Sequence, residues 1–104
     1  MVCALTVRKL KPGTFEQFRE AFMSMNDPDD PPEGWVRFNM VRNHDNPDEV
    51  ICFGFYDGTV EQLRGRGPDQ GYEEQQRRIE PFVESKGADG LYEVVEEYAV
   101  TQTA

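Results

Sequence analysis

The residues whose types suit chemistry are few. Thr6, Tyr56, Tyr72 and Gln76 are hydrogen-bonding side chains set among apolar segments, and Phe18, Phe22 and Phe82 supply aromatic surface on the stretches between them. Aromatic walls with a few hydrogen-bonding groups suit a planar organic ligand. Taken singly, each phenylalanine is equally a core residue. No Ser-His-Asp or Cys-His arrangement occurs, and Gly65-Arg66-Gly67-Pro68-Asp69-Gln70-Gly71 lacks the Lys-Ser/Thr ending and the preceding strand of a phosphate-binding loop. That segment reads as a connector, or as a lid over a neighbouring cleft. The acidic sets Asp27-Asp29-Asp30 and Glu93-Glu96-Glu97 lack the spacing of a metal loop and read as solvated surface. His44, the one histidine, lies in the polar turn Asn43-His44-Asp45-Asn46-Pro47-Asp48.

The elements that must position these groups follow from periodicity. Val2 to Leu10 is β-rich and stops at Lys11-Pro12-Gly13. Thr14 and Gln17 form the pattern of a capping box, and Phe15, Phe18, Phe22 and Met25 make one apolar stripe of a helix that ends near Asn26. Asp27 to Pro32 is a loop, Trp35 to Arg42 and Glu49 to Tyr56 form a hairpin, and Thr59 with Gln62 starts a second helix. The glycine-rich run interrupts that helix. It restarts near Tyr72, is kinked by Pro81 and ends at Gly87, and alternation predicts a fourth strand over Leu91 to Val100. Gly13-Thr14-Phe15-Glu16-Gln17 and Gly58-Thr59-Val60-Glu61-Gln62 share Gly-Thr-x-Glu-Gln 45 residues apart, each just after a strand, which suits two split β-α-β halves.

The order is βαββαβ, an α+β, ferredoxin-like arrangement with a four-stranded antiparallel sheet in one domain spanning residues 1–104. The third strand is apolar on both sides, so two helices on one face leave the other needing cover. A second copy packed sheet against sheet is expected. Small residues, Thr6, Cys52 and Gly54, together with Tyr56, are expected to face the helices; Cys3, Leu5, Val7, Ile51, Phe53 and Phe55 are expected to face the partner. Cys3 and Cys52 then lie on opposite faces and stay unbonded. For the second strand, either Trp35, Arg37 and Asn39 or Val36, Phe38 and Met40 share a face, because one residue of register slip exchanges them.

Twenty acidic against eleven basic residues among 104 give a net charge of −9, which disfavours nucleic acid and anionic membranes as partners. No apolar run approaches a membrane span and no signal peptide is visible, so a cytoplasmic chain with reduced thiols is expected.

On Leu10-Lys11-Pro12-Gly13-Thr14, the hairpin at Asn46-Pro47-Asp48-Glu49 and the strand ending Tyr56-Asp57, the chain resembles the dimeric α+β-barrel superfamily, within it the antibiotic-biosynthesis-monooxygenase-like domains. The resemblance implies a homodimer and a cofactor-independent monooxygenase acting on a planar phenolic substrate between helices and sheet. Tyr56 and Gln76 would be its catalytic residues, hydrogen-bonding a developing anion, and Thr6, Phe18, Phe22, Tyr72 and Phe82 its substrate-binding residues. The haem-degrading branch of the family is matched poorly: Thr6, Tyr56 and Gln76 fall where that branch has asparagine, tryptophan and histidine, and an amide cannot replace an axial imidazole. No cofactor or metal is expected. A non-catalytic dimeric ligand-binding or stress-related protein is the alternative within the same fold.

Overall fold

The structure is a computed structural model that describes residues 1–27, 29–67 and 69–100; Pro28 and Pro68, two of the expected breakers, lie outside them, as do residues 101–104. Its elements are β1 (Val2–Leu10), α1 (Phe15–Met23), β2 (Trp35–Arg42), β3 (Glu49–Tyr56), α2 (Val60–Arg64), α3 (Gln70–Ile79) and β4 (Val83–Glu93), with a 3₁₀ turn at Glu80–Phe82 between the last two. The strands form one antiparallel sheet in the order β2-β3-β1-β4. This is the ferredoxin-like βαββαβ arrangement expected, with its second helix divided into α2 and α3.

Alternation along the two central strands sorts the side chains cleanly. Val2, Ala4, Thr6 and Arg8 of β1 lie opposite Tyr56, Gly54, Cys52 and Val50 of β3. This set faces the helices, and its members Leu10, Val50 and Cys52 join Phe18 of α1 and Ile79 of α3 in the buried core. Cys3, Leu5 and Val7 pair with Phe55, Phe53 and Ile51 on the other face, where all six are only half-buried. Both cysteines are free thiols. The division between small and bulky faces follows the expectation residue by residue.

A bulge decides the open question in β2. Trp35 lies opposite Tyr56 and Arg37 opposite Phe55, so Val36 is an extra residue that shifts the register. Trp35, Phe38 and Met40 consequently share the helix side, while Arg37 and Asn39 share the other, a mixture of the two strict alternatives. Arg37 stacks on Phe55 with its guanidinium carbon 5.1 Å from the ring centroid.

Three expectations need correction. The Thr14 box does not form: Oγ1 of Thr14 donates to the carbonyl of Lys11 at 2.7 Å and lies 3.3 Å from that of Phe82, so the hydroxyl sits between the strand-to-helix turn and the 3₁₀ segment instead of capping α1. The equivalent box at Thr59 is complete, with Thr59 and Gln62 bonding reciprocally at 2.9 and 3.1 Å. The second correction concerns the end of α3. The helix stops at Ile79, because Pro81 turns the chain into the 3₁₀ segment, and Gly87 lies inside β4 instead of capping a helix. The third follows from it: β4 runs over Val83–Glu93, and the alternating residues 94–100 have no regular structure. Glu93 pairs with Val2, the first residue of β1, so the chain beyond it has no ladder partner.

Candidate functional site

β1 alternates toward the helices through Val2, Ala4, Thr6, Arg8 and Leu10, so an arginine occupies an inward position next to the core. Arg8 is 3% exposed. Its Nη2 donates to Oε1 of Gln76 on α3 at 3.1 Å, and its Nη1 is buried without a partner. A guanidinium only donates, so the Gln76 amide must turn its oxygen toward Arg8 and its nitrogen away. That Nε2 is likewise buried and unpartnered. The guanidinium carbon sits 5.9 Å from the Phe18 ring centroid, a cation–π contact that covers one face of the plane.

A second bulge completes the surroundings. Thr6 pairs with Asp89 and Arg8 with Lys86, so β4 carries one extra residue at Gly87-Ala88, and Lys86 and Asp89 both come to the side of Thr6 and Arg8. Thr6 Oγ1 donates to Asp89 Oδ1 at 3.0 Å, and Lys86 Nζ lies 2.9 Å from Oδ2. The Lys86 hydrogen bond, followed by that of Thr6, holds the Asp89 carboxyl below its usual pKa. Asp89 is thereby engaged elsewhere and forms no ion pair with Arg8. Burial pushes the Cys52 thiol up, while the neighbouring Arg8 charge and hydrogen bond pull it back.

Between α3 and β4 a pocket of about 290 Å³ is lined by Arg8 and Gln76, by Ile79 and Val83, and by the charged Arg77, Glu80 and Lys86. A hollow of about 330 Å³ lies at α1, against Gln17, Glu20, Ala21, Ser24 and Phe82. The expected site residues distribute over these features unevenly. Gln76 lines the pocket and Thr6 borders its polar group; Tyr72 is half-exposed one turn before Gln76 on the same side of α3. Phe18 is fully buried core, its ring 5.8 Å from that of Phe22, and Phe82 packs against the same core. Tyr56 stands apart. It lies opposite Val2, six residues along β1 from Arg8, or about 20 Å at the rise of a strand. There it packs against Trp35 at 5.5 Å, Trp35 stacks on Phe38 at 4.9 Å, and the Arg66 guanidinium lies 5.6 Å from the Tyr56 ring. The structure therefore places Gln76 and Tyr56 in two separate environments on one face of the sheet.

Arg8 is the residue that reasoning from sequence passed over. Its signal was available: a cation at an inward position of an alternating strand, between Thr6 and Leu10, must be paired, solvated or waiting for an anion. Where a histidine would be needed to hold haem the pocket has the amide of Gln76, and His44 is exposed in the β2–β3 turn. Among the described residues, no cluster of three His, Cys, Asp or Glu is placed to hold a metal, and no helix is long and apolar enough to cross a membrane.

The arrangement recurs in solved structures at low identity. A "putative antibiotic biosynthesis monooxygenase" from Deinococcus radiodurans superposes with a TM-score of 0.77 at 11% identity, over 98% of this chain and 100% of that one. Proteins of the same description from Nitrosomonas europaea and Chloroflexus aurantiacus J-10-fl superpose at 0.73 and 0.71 with 16% and 9% identity, over 92% and 96% of this chain and 100% and 98% of theirs. No family model and no curated protein matches the sequence. The chain has the ferredoxin-like α+β fold of the antibiotic-biosynthesis-monooxygenase-like domains.

Proposed function

We propose that this protein is a small cofactor-independent monooxygenase acting on a planar phenolic substrate in the cleft between helices and sheet, and that it works as a two-fold homodimer in the reducing cytoplasm. The observation that carries the proposal is the buried, unpartnered Nε2 of Gln76, a residue that lines a pocket of about 290 Å³. In such a reaction the substrate phenolate supplies electrons to oxygen. The protein removes water and hydrogen-bonds the anion that develops, the task of a preorganised donor in a low-dielectric site. In this reading Tyr72, one turn from Gln76, and the core-packed Phe18, Phe22 and Phe82 serve the substrate from around the pocket, and Thr6 holds Asp89 by a hydrogen bond. Tyr56 contributes through its aromatic cluster with Trp35 and Phe38 at the other end of the sheet.

The dimer is proposed because the helices cover one face only, leaving Leu5, Val7, Ile51, Phe53 and Phe55 half-buried on the other. Oxygen uptake with a panel of quinols tests the activity. Gln76→Leu is expected to lower kcat by roughly 10²-fold or more, the usual cost of one donor to a developing anion. Uptake unchanged by the substitution, or absent for every quinol, refutes the reading. The separation of Tyr56 from Gln76 favours one alternative, a non-catalytic dimeric ligand-binding or stress-related protein. A ligand retained in native mass spectrometry without oxygen uptake would establish it.

A further inference from the structure

We propose that Arg8 and Gln76 form a binding site for a small organic monocarboxylate, entered between α3 and β4, and that this site exists whether or not the chain oxidises anything. Three observations meet there. Arg8 is almost fully buried, yet among the described residues no carboxylate lies within ion-pair distance of it. Its hydrogen-bonding neighbours are uncharged, the amide of Gln76 at 3.1 Å and the thiol of Cys52, and Arg8 and Gln76 each hold an unused donor, Nη1 and Nε2. Finally, both residues line the pocket, with the unused donor atoms buried beneath its wall, so a ligand reaches them by a small turn of these side chains.

A buried guanidinium is costly unless an anion compensates it. The acid nearest in the sheet, Asp89, feels the Arg8 charge but forms no ion pair with it, because Lys86 and Thr6 hold its two oxygens. The cation–π contact with Phe18 covers a face of the guanidinium and leaves its N–H groups unsatisfied. Two neighbouring donors match the two oxygens of a carboxylate, and the single negative charge of a monoanion balances the positive charge of Arg8. A dianion fits less well, since Glu80 lines the same pocket and the chain as a whole carries −9. The volume of about 290 Å³ is at the small end for ligand sites, and Ile79 and Val83 offer apolar contact to a short side chain or a single ring.

Benzoate and benzamide, which share a shape and differ in charge, are the probes. Titration of the full chain, followed by thermal shift and by amide chemical shifts, is expected to show saturable benzoate binding and benzamide binding at least tenfold weaker. Arg8→Met should fold, with a melting temperature equal to or above that of the unliganded natural chain, because it removes an uncompensated buried charge, and should lose benzoate at least tenfold. Arg8→Lys, which retains the charge and loses the planar fork, should fall between them and guards against a methionine variant that fails to fold. Equal binding of benzamide, benzoate binding undiminished in both variants, or inorganic phosphate binding where benzoate, pyruvate and acetate at millimolar concentration do not, overturns the proposal. None of these readouts depends on oxygen uptake, so the site and the oxygenase reading fail separately.

Discussion

Replacing Phe53 with glutamate is expected to dissociate the protein into folded monomers. Phe53 pairs with Leu5 on β1 and Asn39 on β2, on the face that no helix covers, and its ring meets that of Phe55 edge-on at 6.0 Å. Full burial of such a side chain is worth about 1.5–3 kcal/mol, and in the single chain it is half complete, so an opposing sheet stands to gain about 1 kcal/mol from each copy. Two-fold symmetry doubles the loss, and two carboxylates must then be desolvated against apolar surface as well. A total of about 3 kcal/mol or more weakens the dimer by over a hundredfold. The core formed by Leu10, Phe18, Val50, Cys52 and Ile79 lies on the opposite side of the sheet and is untouched, so far-UV circular dichroism should be preserved. Sedimentation equilibrium over a concentration series measures the change. A natural chain that remains monomeric throughout, or a variant with the natural dissociation constant, would refute the argument that the bare sheet face is an interface.

Other consequences are equally direct. A Cβ at Gly54 would come within 2.6 and 2.8 Å of Phe38 ring carbons and 3.2 Å of Trp35, so Gly54→Ala should cost about 1–3 kcal/mol in chemical denaturation and shift the Trp35 emission. Thr59→Ala removes the completed cap of α2 and should destabilise by about 0.5–2 kcal/mol, with protection lost first in the amides of residues 60–64 in hydrogen exchange. Asp89 is held below its usual pKa in the folded state, so the unfolded chain binds its proton first as pH falls. Its stabilisation is present above the ordinary carboxylate range and lost as pH falls through the lowered value; Asp89→Asn should flatten that part of an acid-unfolding curve. The Cys52 thiol is raised by burial, so its contribution is present below the ordinary thiol pKa and declines as pH rises through the raised one. Because Arg8 partly offsets the rise, Arg8→Met should move the onset of Cys52 alkylation to higher pH.

Three strands and the two faces of the central pair were legible because β-branched and aromatic runs with clear turns leave little choice of register. The fourth strand was not. Val83-Glu84-Ser85-Lys86-Gly87-Ala88-Asp89-Gly90 has two glycines and three charged residues, and no intrinsic preference marks it as a strand; the open edge of β1 recruits it. Val94 to Val100 shows the reverse, a good alternating pattern with no strand left to pair with. Both bulges escaped notice because each adds one residue to an otherwise regular ladder, and only the pairing partner reveals the count. Gln76 was found through family resemblance and Tyr56 as a helix-facing aromatic, but their separation along the sheet depends on where α3 crosses it, which no spacing encodes. Arg8 was missed because attention stayed on apolar alternation. The informative residue was the one that broke it.

The extra residue at Val36 makes the composition of each face of β2 depend on chain length as well as on residue type. Trp35 and Phe38 are three apart and share a side, which strict alternation forbids. Loss of Val36 would restore the regular pleat and leave Trp35 opposite Tyr56 on the helix side, with Phe38, Met40 and everything after them in place. A single-codon deletion of Val36 would thus remove the bulge and keep the indole in the cleft, without any substitution. In a regular strand of unchanged length Trp35, three residues before Phe38, would fall on the bare face instead, so the extra residue is what keeps the indole in the cleft at the Tyr56 end.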